Sequence, residues 1–189
     1  MQYGYGYDLN LQMTELKYKQ GTFMQYTLQD ADILIDLAQQ QLILPKLKKT
    51  YSVSTGLNGI GEQENSGKTP RGWHCVAQKI GYDLPKNSVL IARKPTGEIY
   101  TADYAKLHPE RDWILSRILW LQGLEESFNA GAGYDTFQRY IYIHGTPDSE
   151  PMGIAASHGC IRMRNDDVIE LFNLIPEQAL VYISEYPLE

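Results

Sequence analysis

The chain has 189 residues, 43% of them hydrophobic and 21% charged, a composition that suits one globular domain with its own core. Its net charge of −6 works against nucleic-acid binding, which needs a basic surface, and against docking on anionic lipid. No apolar run reaches the roughly 18 residues of a membrane span, and two cysteines, Cys75 and Cys160, are too few for a disulfide framework.

Residues 1–28 are rich in Tyr and Gln and read as an N-terminal extension of one or two strands, packed on a domain over 29–186. The first residues show no basic segment followed by an apolar one, so a cytoplasmic location is expected. The periplasm or cell envelope is the alternative if a leader has been removed. Ile33 to Ile35 and Gln41 to Leu44 read as short strands, and Thr50 to Thr55 as a third that stops at Gly56.

The stretch from Gly56 to Gly72 holds five glycines and one proline. Loops of more than about 12–15 residues are usually functional or disordered. Strand character returns at Trp73 to Ile80, Val89 to Ala92 and Ile99 to Thr101. Asp112 to Leu121 is predicted as a helix, because positions 114, 115, 118, 119 and 121 are apolar and fall near one face. Arg139 to His144 reads as a strand broken by Gly145. A helix capped by Asn165-Asp166-Asp167 follows, with Val168, Ile169, Leu171 and Phe172 on its core face, then a last strand from Ala179 to Ile183. Strands dominate and helices are few, as fourteen tyrosines beside four phenylalanines also suggest. The expected fold is mainly β, with one domain.

The chemistry concentrates at Ser157-His158-Gly159-Cys160-Ile161-Arg162-Met163, preceded by His144-Gly145-Thr146. A thiol attacks as its thiolate and needs a nearby base or cation. In an extended segment His158 and Cys160 would share a face, while His144 must arrive by tertiary folding; spacing alone leaves both open as the base. Backbone N–H groups near Gly159 can meet an oxyanion, and Arg162 offers a planar fork for a substrate carboxylate. Cys75, inside the apolar run Trp73 to Ile80, reads as a packing residue. A zinc site of His144, His158 and Cys160 lacks a fourth ligand, so neither metal nor cofactor is expected.

These residues resemble the L,D-transpeptidase catalytic domain, the YkuD family, over roughly residues 30 to 185. The signature is His144-Gly145-Thr146, a spacer containing Gly153, then Ser157 to Met163. Tyr51 to Gly56, Lys68-Thr69-Pro70-Arg71-Gly72 and the helix residues Asn165, Asp167 and Val168 extend the likeness. Ala155 stands where members often carry proline, and the segment Leu84 to Arg111 has no family signature. The resemblance implies a barrel-like or sandwich-like β fold. It also implies Cys160 as nucleophile, His144 as base oriented by the carbonyl of Gly145, and Ser157, His158, Gly159 and Arg162 shaping the oxyanion pocket and holding substrate. The implied substrate is a peptidoglycan stem tetrapeptide or muropeptide, cleaved with release of D-alanine through a thioester, and carbapenem-type inhibitors should acylate the same sulfur. Water would complete an L,D-carboxypeptidase reaction, the expectation for a cytoplasmic muropeptide-recycling enzyme. An amine would complete a cross-link in the envelope. A non-catalytic stem-peptide-binding module is the third reading.

Overall fold

A computed structural model describes residues 14–17 and 23–188. The extension contributes β1 (Thr14–Lys17) and β2 (Phe23–Tyr26), paired antiparallel. Residues 1–13 and 18–22 lie outside the described residues; of the rest of the extension, Tyr26 packs on the domain, its ring 5.2 Å from that of Trp73.

Short β-branched and aromatic runs supply the next strands: β3 (Ile33–Asp36), β4 (Gln41–Leu44), β5 (Lys49–Ser52), β6 (Gly72–Ile80), β7 (Ser88–Ile91) and β8 (Lys94–Ile99). A short helix α1 (Ala102–Lys106) precedes β9 (Ile114–Gly123) and β10 (Tyr142–Gly145). Then come β11 (Ile161–Met163), α2 (Asn165–Leu174) and β12 (Leu180–Ser184). Among the described residues ten strands form one sheet in the order β11-β10-β9-β6-β12-β3-β4-β5, with β7 and β8 added beside the start of β9. The sheet curls until its two ends meet. Just past β5, the Ser54 N–H donates to Arg162 O at 3.0 Å and the Arg162 N–H returns a bond to Ser54 O at 2.8 Å. The mainly-β, barrel-like expectation holds.

The segment expected as a helix over 112–121 is instead β9. One helical stripe would leave its far side wet, yet residues 115–121 are all buried. Leu119 and Leu121 enter the main core while Ile118 and Trp120 enter a second cluster on the opposite face. That alternation is the period of a strand covered on both sides, and β-branched and aromatic residues suit it. Truncating Leu119 to Ala would cost about 2–5 kcal/mol.

Three further boundaries differ. Thr101 does not extend a strand; its hydroxyl accepts from Tyr104 N–H at 3.1 Å and caps α1, which was not expected. Tyr140 adopts a left-handed φ of 57°, so pairing starts only at Tyr142 and then runs through Gly145 with a register shift. Asn165 is the first helical residue, not the cap. Its buried amide accepts from Ser116 Oγ at 2.6 Å and donates to Thr146 O at 2.8 Å, tying α2 to β9 and to the end of β10. Val168, Leu171 and Phe172 of α2 then fill the main core against Ile33, Ile143 and Ile161.

Candidate active site

Strands β10 and β11 run parallel with Ile143 opposite Ile161 and His144 opposite Arg162. Both isoleucines point into the main core. Alternation therefore sends Tyr142, His144, Cys160 and Arg162 to the other face. Tyr142 N–H meets Cys160 Sγ at 3.4 Å, and the thiol donates to Tyr140 O at 3.4 Å.

Cys160 is half-buried at the edge of the cluster formed by Leu90, Ile118, Trp120 and Tyr142. Burial pushes its thiol up to about 12, against the opposing effect of the Tyr142 N–H. His144 is 1% exposed. Its Nδ1 lies 2.8 Å from Gly145 O; a carbonyl only accepts, so Nδ1 carries the proton and Nε2 keeps its lone pair. Burial pulls this imidazole down to about 4. The resting pair is thus a neutral thiol and a neutral base. Among the described residues, the sulfur's hydrogen bonds go to Tyr142 and Tyr140, not to the imidazole. Gly145 has a steric reason to be glycine: a Cβ there would meet Leu115 O at 2.6 Å and run into Asn165 Oδ1.

The segment before Cys160 is a tight turn rather than an extended strand. Gly159 has φ +118°, and a Cβ on it would stand 3.0 Å from Lys68 O. Ser157 Oγ donates to Cys160 O at 2.6 Å and accepts the Gly159 N–H at 3.1 Å. Gly159's own N–H is therefore taken, whereas the Cys160 N–H has no acceptor among the described residues. The long loop has a function here. Thr69 Oγ1, buried, donates to Gly159 O at 2.9 Å and accepts from Gly56 N–H at 2.8 Å. Arg139 stitches the same loop through Glu62 O and Lys68 O at 2.7 and 2.6 Å.

Because the turn is not extended, His158 does not share a strand face with Cys160. Its side chain is 82% exposed, with Nδ1 3.2 Å from Asp112 Oδ2. Arg162 differs from expectation too. Its guanidinium is buried and already held, by Asp112 Oδ1 at 2.8 Å and Glu150 Oε2 at 3.0 Å, so the fork is not free for a substrate carboxylate. Burial works against the Asp112 charge, but Arg162 and His144 together hold the carboxyl below its usual range. A cleft of ≈ 310 Å³ opens here between Asp112, Trp113, Thr146, Glu150, His158 and Arg162. Among the described residues no group of three His, Cys, Asp or Glu side chains is arranged to hold a metal. Cys75 is a free, 5% exposed thiol on β6 whose ionisation burial pushes up.

Sequence reasoning missed Asp112, hidden in the segment read as a helix, and gave Thr69 no role although it lies in a quoted motif. Tyr140 and Tyr142 touch the sulfur through backbone atoms, which no residue type announces.

Residues 30–183 match the model of the YkuD family, described as the L,D-transpeptidase catalytic domain. The chain belongs to this family. Among curated relatives of this L,D-transpeptidase domain, it is 30% identical over 159 residues to "Probable L,D-transpeptidase YbiS" of Escherichia coli, covering 79% of this chain and 49% of that one. It is 41% identical over 114 residues to "Probable L,D-transpeptidase ErfK/SrfK" of Salmonella typhimurium, covering 59% and 36%. The chain thus spans about half or less of these relatives' length. An L,D-transpeptidase structure from Mycobacterium smegmatis shares the fold, with a TM-score of 0.50, 13% identity, and coverage of 95% and 79%.

Proposed function

We propose that this L,D-transpeptidase-family domain is a cysteine acyl-transfer enzyme that takes its acyl group from a peptidoglycan stem tetrapeptide. One observation carries the reading. Cys160, the residue just before β11, and His144 on the parallel neighbour β10 both face away from the main core, and Gly145 O fixes the imidazole with its unprotonated nitrogen spare.

His144 Nε2 takes the thiol proton as Sγ attacks the carbonyl carbon of the third stem residue. The oxyanion rests on the Cys160 N–H. The C–N bond then breaks, His144 returns the proton to the departing D-alanine amine, and a thioester remains. Ser157 and Thr69 hold the turn so that this N–H stays open. Arg162, tied to Asp112 and Glu150, positions β11 and the His158 side of the cleft. Proton transfer to a neutral base within the complex suits the neutral resting pair better than a standing thiolate would.

Water as the second nucleophile yields tripeptide and defines an L,D-carboxypeptidase, the reading adopted here. The names of the relatives favour the other reading, transfer to an amine and cross-linking. Hydrolysis would serve soluble muropeptides in the cytoplasm, and transfer would serve polymeric wall outside it. Mass spectrometry of products from a defined tetrapeptide, with and without an acceptor amine, separates them: tripeptide and free D-alanine support hydrolysis, and dimer without tripeptide overturns it. A Cys160→Ala variant that still releases D-alanine would remove the whole proposal. Carbapenem treatment should leave one covalent adduct, on Cys160 and not on Cys75.

A further inference from the structure

The segment Leu84 to Arg111, which carries no family signature, delivers one side chain to the nucleophile's neighbourhood. β7 and β8 are joined by a tight turn in which Ala92 (φ 47°) and Arg93 (φ 67°) are both left-handed. Such turns normally take Asn-Gly, and an L side chain there is strained. The strained turn seats the Arg93 guanidinium over two rings at once, 4.8 Å from the Trp120 centroid and 4.7 Å from that of Tyr140. Its Nη1 donates to Tyr142 OH at 3.2 Å.

Tyr140 and Tyr142 are the two residues whose backbone atoms touch Cys160 Sγ. Arg71, Arg111 and Arg162 each have a carboxylate partner, whereas Arg93 has none among the described residues. A guanidinium has five N–H donors in a planar fork, and one neutral hydroxyl leaves most of them open. The chain as a whole is acidic, at −6, so an anionic peptide approaching the thiol is repelled unless a fixed local cation offsets the field.

We propose that Arg93 is the carboxylate-binding residue of the donor site: it clamps a carboxylate of the acyl-donor peptide beside Cys160. The proposal rests on the acyl-transfer reading for the identity of the peptide. The candidates are the C-terminal carboxylate and, in a donor whose third residue carries one, the side-chain carboxylate, and each can be masked separately as an amide.

The test measures equilibrium binding of a soluble tetrapeptide to Cys160→Ala and to the double variant Cys160→Ala, Arg93→Gln, alongside D-alanine release by the wild type and by Arg93→Gln. Expected are at least a tenfold weaker binding in the double variant and an equal rise in KM with kcat nearly unchanged. One of the two amides should reproduce that loss in the wild type and add nothing to Arg93→Gln, which identifies the source. Arg93→Lys should recover part of the affinity. Equal binding with and without Arg93, no binding to either variant, or losses that add to both amides would overturn the proposal. If the wild type releases no D-alanine while binding still depends on Arg93 and one carboxylate, the catalytic reading fails and the carboxylate site stands.

Discussion

Two buried histidines sit in nearly the same electrostatic setting and do different things. His74 on β6 and His144 on β10 are 0% and 1% exposed. Each has Nδ1 on a backbone carbonyl, Gly72 O at 3.0 Å and Gly145 O at 2.8 Å. Burial pulls both down to about 4. They part at the second nitrogen. His74 Nε2 meets Thr136 Oγ1 at 3.1 Å, whereas His144 Nε2 has no partner among the described residues and shares its face with a thiol. A depressed pKa therefore does not by itself single out the proposed base. What differs is the second nitrogen, which in His144 faces no hydrogen-bond partner among the described residues.

The comparison breaks most sharply under substitution. His144→Gln should lower kcat by about 10²–10⁴-fold, the usual contribution of a positioned base, with the fold retained in circular dichroism. His74→Gln should leave kcat within a few-fold of wild type. Equal losses in the two variants would mean that burial, not the free nitrogen, matters. Next in size is acid lability. An unfolded histidine titrates near 6.5 and these fold with values near 4, so between those values the unfolded chain binds more protons. Stability then rises with pH through that window and levels off above it. Thermal melts should show Tm falling by roughly 10 °C from pH 7 to pH 5.

Thr136→Val removes the partner of His74 together with the hydroxyl's bond to Asn129 O, 3.0 Å away, and should cost about 1–3 kcal/mol in chemical denaturation, with kcat/KM unchanged. The smallest effect is on the acid limb of kcat/KM, which should fall near pH 4, where His144 takes a proton, rather than near 6.5. A limb close to 6.5 would show an imidazole more open to solvent than its 1% exposure indicates.

Cys160, His144 and Gly145 stood out in the sequence as candidates because a thiol, an imidazole and glycines occur in a short, specific pattern. β10 and β12 were legible too, since β-branched runs were bounded by turn residues, whereas the three-residue β11 was not expected. Nor was β9. Apolar residues at 114, 115, 118, 119 and 121 satisfy a helical face, and only the sheet reveals that 118 and 119 point to opposite sides. Asp112 fell with that segment, as its partners His158 and Arg162 lie far along the chain. Arg93 was unreadable for a related reason: its neighbours come from β9, β10 and the turn before β10.

The seam between Ser54 and Arg162 has a consequence for how the enzyme can fail. β11 would otherwise be an outermost strand, free to fray and carry Cys160 with it. Stapled to β10 on one side and to the chain beyond β5 on the other, it cannot loosen alone. The Arg162 amide should exchange hydrogen only as slowly as the whole sheet opens, and damage to the first strands of the domain should silence the thiol without touching it.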